Sequence, residues 1–205
     1  MDKIYLNVPY SQKDDAKRRG AKWDAERKKW YVPSGKRLEP FEPWLLLFVE
    51  ERQITIELVP NTCWYSNVRS NVSKQDWDNL RHHTYKQASH RCEVCGGVGQ
   101  QHPVECHEIW NYDDQQHIQT LTGLIALCPA CHECKHIGLA QIKDRGEIAL
   151  QHLAKVNKWS LEQAEEYVSD CFKIWHRRSQ FNWKLDISYL KQFGICTDVE
   201  LDRNN

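Results

Sequence analysis

The chain carries no net charge, its 28 lysines and arginines being matched by 28 aspartates and glutamates. A protein that coats nucleic acid with a uniformly basic surface is therefore excluded, and any phosphate-binding surface must be local. Long apolar runs are missing as well. Trp44 to Val49 is far too short to cross a bilayer, and the N-terminus lacks the apolar core of an export signal. Internal repeats and low-complexity segments are absent too. What the chain does have is aromatic surface and cysteine. Nine Trp, eight Tyr and five Phe supply real cores despite a mean hydropathy of -0.73. Nine cysteines, an odd number with several at metal-ligand spacing and no export signal, point to a reducing cytoplasm. A length of 205 residues has room for one ordinary domain and a smaller one.

The densest chemistry runs from Arg91 to Gly138. Cys92/Cys95 and Cys128/Cys131 are two Cys-x-x-Cys pairs, each able to grip one tetrahedral zinc from a tight turn, and four thiolates leave that zinc no open position. This site is structural. Between the pairs sits Glu105-Cys106-His107-Glu108, in a run from Pro103 to Trp110 that reads as a strand entering a turn. If the chain turns helical after Pro129, His132 and His136, four apart, project from one face and can share a second ion. In a regular strand Glu105 shares a face with His107, and Glu108 with Cys106. Cys106 and His107 can then meet only where the strand is ending.

This segment resembles the HNH nucleases, in the branch whose ββα-metal fold is stapled by two Cys-x-x-Cys pairs. The resemblance implies an α+β zinc domain of HNH or treble-clef type, hydrolysing DNA phosphodiester bonds. It places His107 as the general base that takes a proton from the attacking water. His132, His136 and Cys106 become the ligands of a catalytic divalent ion, which would stabilise the charge on the phosphorus centre and the leaving 3′ oxygen. That ion could be Zn, Ni, Mn or Mg, and a cysteine ligand would favour zinc or another late transition metal. Two positions depart from the family pattern. Cys106 stands where the family has Asp or His. The family's central Asn, which orients the base, falls on Gly123, leaving Asn111, Asp113 and Asp114 as nearby candidates for that work. These departures keep a second class of function open, a catalytically inactive zinc-stabilised module that binds nucleic acid or protein. A third reading has Cys106, His107, His132 and His136 closing a second structural zinc.

The first unit, residues 1–45, reads as a β-α-β-β miniature. Ile4 to Val8 alternates as a strand. Ser11 and Asp14 resemble a capping box opening a helix of about nine residues that Gly20 stops, and Lys22 to Val32 forms a hairpin. Tyr5-Leu-Asn-Val-Pro9-Tyr, Gly20-Ala-Lys-Trp23-Asp24 and Trp30-Tyr31-Val-Pro33 resemble a small bacterial domain found on plasmid primases and other DNA-handling proteins. Its basic residues outnumber its acidic ones, so Lys17, Arg18, Arg19, Lys28 and Lys29 are candidates to face phosphate. Trp23 and Trp30 are expected in the core, because a domain this small needs its large side chains inside.

Residues 46–60 are a junction in which Gln53 to Val59 alternates like a strand, and Pro40 to Glu51 suits a short packing helix. Residues 61–197 make the zinc domain with its flanking helices, and 198–205 a loose polar tail. Ser73 with Asp76 opens a helix whose buried stripe is Trp77, Leu80, Thr84 and Ala88, and whose His82 and His83 face solvent. Later helices run from Asp144 to Asn157 and from the Ser160–Gln163 capping box onward. The corner between them could be called a helix-turn-helix but reads as packing. Trp183 to Leu185 suits a short strand, and Asp186 caps a last short helix ending at Gly194. The expected partner is nucleic acid, most simply DNA, with no membrane and no organic cofactor.

Overall fold

The computed structural model describes residues 3–6, 8–44, 54–63 and 67–195. Among them the chain is mixed α+β, with two three-stranded sheets and helices packed around the second. The first sheet is antiparallel in the order β1 (Ile4–Leu6), β3 (Lys29–Val32), β2 (Lys22–Asp24), with helix α1 (Lys13–Arg18) between β1 and β2. Gln12, rather than Ser11, is the N-cap of α1, and a 3-10 turn at Tyr10–Gln12 precedes it. Gly20, at φ +98, provides the expected stop, a backbone shape that costs glycine nothing. Ile4, Leu6, Val32, Phe41 and Trp44 form this unit's core, which Ile174 from a C-terminal helix completes.

A buried carboxylate holds the unit's hairpin. Asp24 takes hydrogen bonds from Lys3 Nζ (2.7 Å), the Tyr5 hydroxyl (2.8 Å) and the backbone N–H groups of Glu26 and Arg27. Those donors, Lys3 first, hold its carboxyl well below the usual range. Trp23 does not join the core. It lies on β2, the outer strand of the sheet, 51% exposed and touching Trp30 edge-on, with no further strand paired to β2 among the described residues.

The expected strand over Gln53 to Val59 is not a ladder strand. Gln53 lies outside the described residues, and 54–60 runs through the core without sheet partners. Side chains take the place of a sheet there. Asn157 both donates to Ile54 O and accepts from Ile54 N–H (2.9 Å each), and the Tyr167 hydroxyl accepts from Ile56 N–H (3.1 Å). Glu57 N–H caps the end of a helix at Lys135 O, so the buried backbone groups are satisfied. The packing helix suggested for Pro40 to Glu51 is a 3-10 stretch, Glu39–Trp44, as far as it lies within the described residues.

Helix α2 (Val68–Asn71) leads into α3 (Lys74–Gln87), capped by the Ser73 side chain on Asp76 N–H as the sequence implies. Leu80 and Thr84 are buried and His82 and His83 exposed. The second sheet then forms from β4 (Glu105–Asp113) and β5 (Ile118–Leu127), an antiparallel hairpin, with β6 (Lys184–Asp186) parallel to β5. β4 continues beyond Trp110 to Asp113, so the turn expected there comes later. Its register with β5 shifts between Ile109, which pairs with Gly123, and Trp110, which pairs with Leu121, leaving Thr122 as the extra residue of a bulge.

The hairpin runs straight into α4 (Pro129–Lys135) and α5 (Ile137–Ile142), followed by α6 (Gly146–Asn157) and α7 (Leu161–Arg178). Pro129 sits at the first turn of α4, where a missing N–H costs nothing. α7 begins with the full Ser160–Gln163 capping box. At the α6–α7 corner Asn157 is buried and Trp159 packs against Tyr167, so the corner is a packing element. A closing 3-10 helix, Ser188–Phe193, starts on the Asp186 side chain and ends at Gly194. No described helix is long and apolar enough to cross a membrane.

Candidate metal centres

Two groups of side chains converge as metal donors could. The first is Cys92, Cys95, Cys128 and Cys131, whose sulfurs lie within 4.8 Å of one another. Cys92 and Cys95 belong to a tight loop closed by Cys92 N–H to Gly97 O and Gly96 N–H to Cys92 O, with Gly96 at φ +72. Cys128 caps α4 and Cys131 lies one turn into it, which brings the second pair under the loop. The Cys95–Cys128 sulfurs are 3.6 Å apart, close to the edge of about 3.8 Å that four sulfurs at about 2.3 Å from zinc would have.

The electrostatics fit a cation there. The Cys131 thiol, bonded to Cys92, pulls the Cys92 thiol down to about 4, while burial pushes Cys128 up to about 11 and the Cys92 thiolate drives Cys131 higher still. Cys92 thus carries a negative charge readily, while Cys128 and Cys131 resist ionising unless a cation compensates them. His152 Nε2 lies 3.2 Å from Cys131 Sγ and supports that ligand from α6, a role its spacing did not announce. Cys63, Cys134 and Cys171 are buried away from this group, and Cys196 lies outside the described residues.

The second group is His107, His132 and His136, again with ring nitrogens within 4.8 Å. The Nε2 atoms of His132 and His136 are 3.2 Å apart, near the edge of about 3.4 Å for nitrogens about 2.0–2.1 Å from a tetrahedral ion. α4 ends at Lys135, and His136 links it to α5, yet His136 N–H still reaches His132 O and keeps the one-turn relation. Burial, then the other histidines, holds His132 below its ordinary value and His136 down to about 3, so both are neutral ligands at neutral pH.

Cys106 is not brought into this group. β4 is regular at this point, so alternation sends Cys106 and Glu108 to the opposite face, against α2 and α3. There burial pushes the Cys106 thiol up to about 11 beside Thr84, and Glu108 accepts from Val68 N–H at 2.8 Å. Among the described residues Cys106 is therefore not one of the donors that converge at the histidine group. Glu105, on the histidine face, takes the vacated position next to the ligands. One oxygen holds His132 Nδ1 and the other His102 Nε2 at 2.6 Å. Although burial opposes it, the two histidines keep the Glu105 carboxyl below its ordinary value.

His107 is oriented by a residue the sequence reading left unassigned. Glu57 Oε2 lies 3.1 Å from His107 Nε2 and 3.6 Å from Lys135 Nζ, and Glu57 Oε1 accepts from Trp110 N–H at the bulge. Lys135, itself buried, also donates to Thr55 Oγ1 at 2.7 Å. The candidates near the hairpin tip are committed elsewhere. Asp113 closes the turn through the N–H groups of Gln115 and Gln116, Asp114 pairs with Arg178 through both oxygens, and Asn111 is exposed.

A carboxylate fixing the far nitrogen of a metal-ligating histidine commonly changes metal affinity 10- to 100-fold. For an ion held by the histidine group, Glu105→Gln is therefore expected to weaken binding by about tenfold or more, with the four-cysteine site unchanged. Competition with a fluorescent chelator on the purified chain measures this. Equal loss of metal from both sites would point to a general folding defect.

Of the five cations expected to face phosphate, two are engaged internally. Arg19 pairs with Asp15 (2.8 Å), donates to Pro40 O and covers Trp44, and Lys29 pairs with Glu166 of α7 at 2.7 Å. Arg18 is exposed but bonded to Asp15. Lys17 and Lys28 are exposed, with no ion pair among the described residues.

Residues 3–45 match a family described as Domain of unknown function (DUF5710). Two proteins named DNA primase TraC from Escherichia coli are similar over 43 residues, at 49% and 46% identity. Each alignment covers 21% of this chain, and 3% or 4% of the primase, so the chain spans a very small part of those relatives. No solved structure matches. The likeness lies wholly in the N-terminal unit and leaves both metal centres outside it.

Proposed function

We propose that this chain is a metal-dependent endonuclease of the HNH type, acting on DNA, with zinc as its structural ion at Cys92, Cys95, Cys128 and Cys131. The observation that carries the reading is the convergence of His107 from the first strand of a hairpin with His132 and His136 from the helix that follows it. The strand-strand-helix order and the two cysteine pairs support the zinc-stapled HNH arrangement. The similarity of the N-terminal unit to part of a protein named DNA primase favours DNA as the polymer.

With Nε2 held by Glu57, His107 has Nδ1 left to take a proton from a water attacking phosphorus in line. Glu57 fixes the ring through Nε2, and Lys135 at 3.6 Å helps hold Glu57 in place. Glu105 holds the Nδ1 side of His132, so Nε2 faces His136. A divalent ion held by His132 and His136 would supply charge stabilisation for the phosphoryl oxygens and leaving group.

Incubating the purified chain with supercoiled plasmid and with circular single-stranded DNA, in Mg, Mn, Ni or Zn, tests the proposal. Cleavage that depends on the added metal is the expected result. Its absence with every metal, in a folded zinc-bearing chain, would overturn the reading.

One observation favours a second, non-catalytic reading: His107 is only 5% exposed, as suits a third ligand closing a structural site. In that case the histidine ion resists chelation and no metal produces cleavage.

A further inference from the structure

Trp23 lies against the expectation for a small domain, and its surroundings give it a use. It is 51% exposed on β2, and the edge of Trp30 at 5.5 Å between centroids fixes its orientation. The hydrogen bonds converging on the neighbouring Asp24 clamp the strand that carries it. A rigid aromatic held out at a sheet edge is already ordered before anything stacks on it.

The unit's lysines lie on both sides of β2 in sequence. Lys22 precedes Trp23, and Lys28 follows at the hairpin turn. Lys17 stands on α1 and Lys36 reaches the Gly20 turn, its Nζ 2.9 Å from where a Cβ would stand. Among the described residues, Lys17, Lys22, Lys28 and Lys36 form no ion pair. Of the unit's described acidic residues, Asp24 is buried, Asp15 holds Arg18 and Arg19, and Glu39 lies beside Arg37, while Asp14 and Glu26 are exposed. The basic residues that do meet acid across the molecule, Arg27 and Lys29, both do so at Glu166 of α7.

We propose that the β2 edge, with Trp23 as its platform, Lys22 beside it in the strand and Lys28 in the turn that follows, binds single-stranded DNA. An unpaired base stacks on the indole and the backbone follows the lysines. Stacking asks only for a flat π-face and a neighbouring phosphate, which an unpaired strand offers and a closed duplex hides. This binding site is separate from the histidine centre and needs no ion.

The test is fluorescence anisotropy of labelled oligo-dT and of a duplex of equal length with the full chain. No divalent metal is added, so binding is read whether or not the chain cleaves. Wild type is expected to prefer oligo-dT. Trp23→Ala should weaken that binding by at least about fivefold, while Trp23→Phe, which keeps a ring, retains most of it. Lys22→Ala and Lys28→Ala should each lower the salt dependence of log K by about 0.7. Circular dichroism of each variant confirms that the unit is folded. Three results would overturn the proposal: no oligo-dT binding at low salt, equal binding by Trp23→Ala, or a duplex preference indifferent to Trp23. A change in self-association in Trp23→Ala with DNA binding intact would assign the edge to contact between copies and equally overturn it.

Discussion

Replacing His107 by alanine is expected to lower the rate of plasmid cleavage by about 10²- to 10⁴-fold, the range a positioned general base contributes. The mutant should keep its four-cysteine zinc. His107 lies on β4, on the face opposite α3, and touches His132 and His136 only through their rings, at centroid separations of 5.3 and 4.8 Å. Its removal therefore leaves the hairpin ladder and the cysteine site in place. Glu57→Gln gives the sharper mechanistic test, because it retains a hydrogen-bonding side chain at His107 Nε2 but removes the carboxylate charge beside the ring. A smaller loss than in His107→Ala, confined to kcat, is the expected pattern for a positioning residue. Cleavage by His107→Ala at the wild-type rate would remove His107 from the chemistry. If both variants instead lose the histidine-bound ion along with activity, His107 is a ligand rather than a base.

Cys131→Ser should abolish the folded state of the zinc domain. Cys131 is fully buried in the cluster that also holds Leu127, Ile137, Leu153 and Tyr167, so the metal and the apolar core form one unit. Structural zinc sites contribute about 10–16 kcal/mol of apparent binding energy, and whole domains are stable by only about 5–15 kcal/mol. Losing that ion is thus comparable with the total stability. Zinc content measured on the purified variant should fall by one ion per chain, and the cooperative melt should disappear. Cys134→Ser is the matched control. Cys134 is equally buried, but its sulfur donates to Ala149 O at 3.2 Å and a serine hydroxyl can do the same, so zinc and the melt should persist. A Cys131→Ser chain with full zinc and an unchanged melt would mean the four cysteines do not share an ion.

The parts of this molecule that could be read in advance are those governed by neighbours in sequence. Two Cys-x-x-Cys pairs, histidines one helical turn apart, and the Ser73 and Ser160 caps each follow from spacing of a few residues, and the structure places them accordingly. The ligand set near β4 depended instead on where that strand stops. A strand ending at His107 could have turned Cys106 inward, but it continues to Asp113 and keeps Cys106 behind the sheet. Glu57 was hidden for a different reason. It meets His107 across 50 positions, from a segment whose alternating pattern suggested a strand but whose backbone is satisfied by Asn157, Tyr167 and Lys135. Trp23 was misjudged because size and apolarity favour burial in general, while β2 is the outer strand of its sheet, with no further strand paired to it among the described residues.

The path from Asn157 and Tyr167 through Ile54 and Ile56 to Glu57 means that α6 and α7 help aim His107 from outside the hairpin and its helix. The histidine group is consequently not a portable cassette. A fragment trimmed to residues 88–143 would retain both sets of candidate metal donors and lose the carboxylate that orients His107. Grafting that fragment onto another scaffold would transplant the donors without the support that 54–60, α6 and α7 give them.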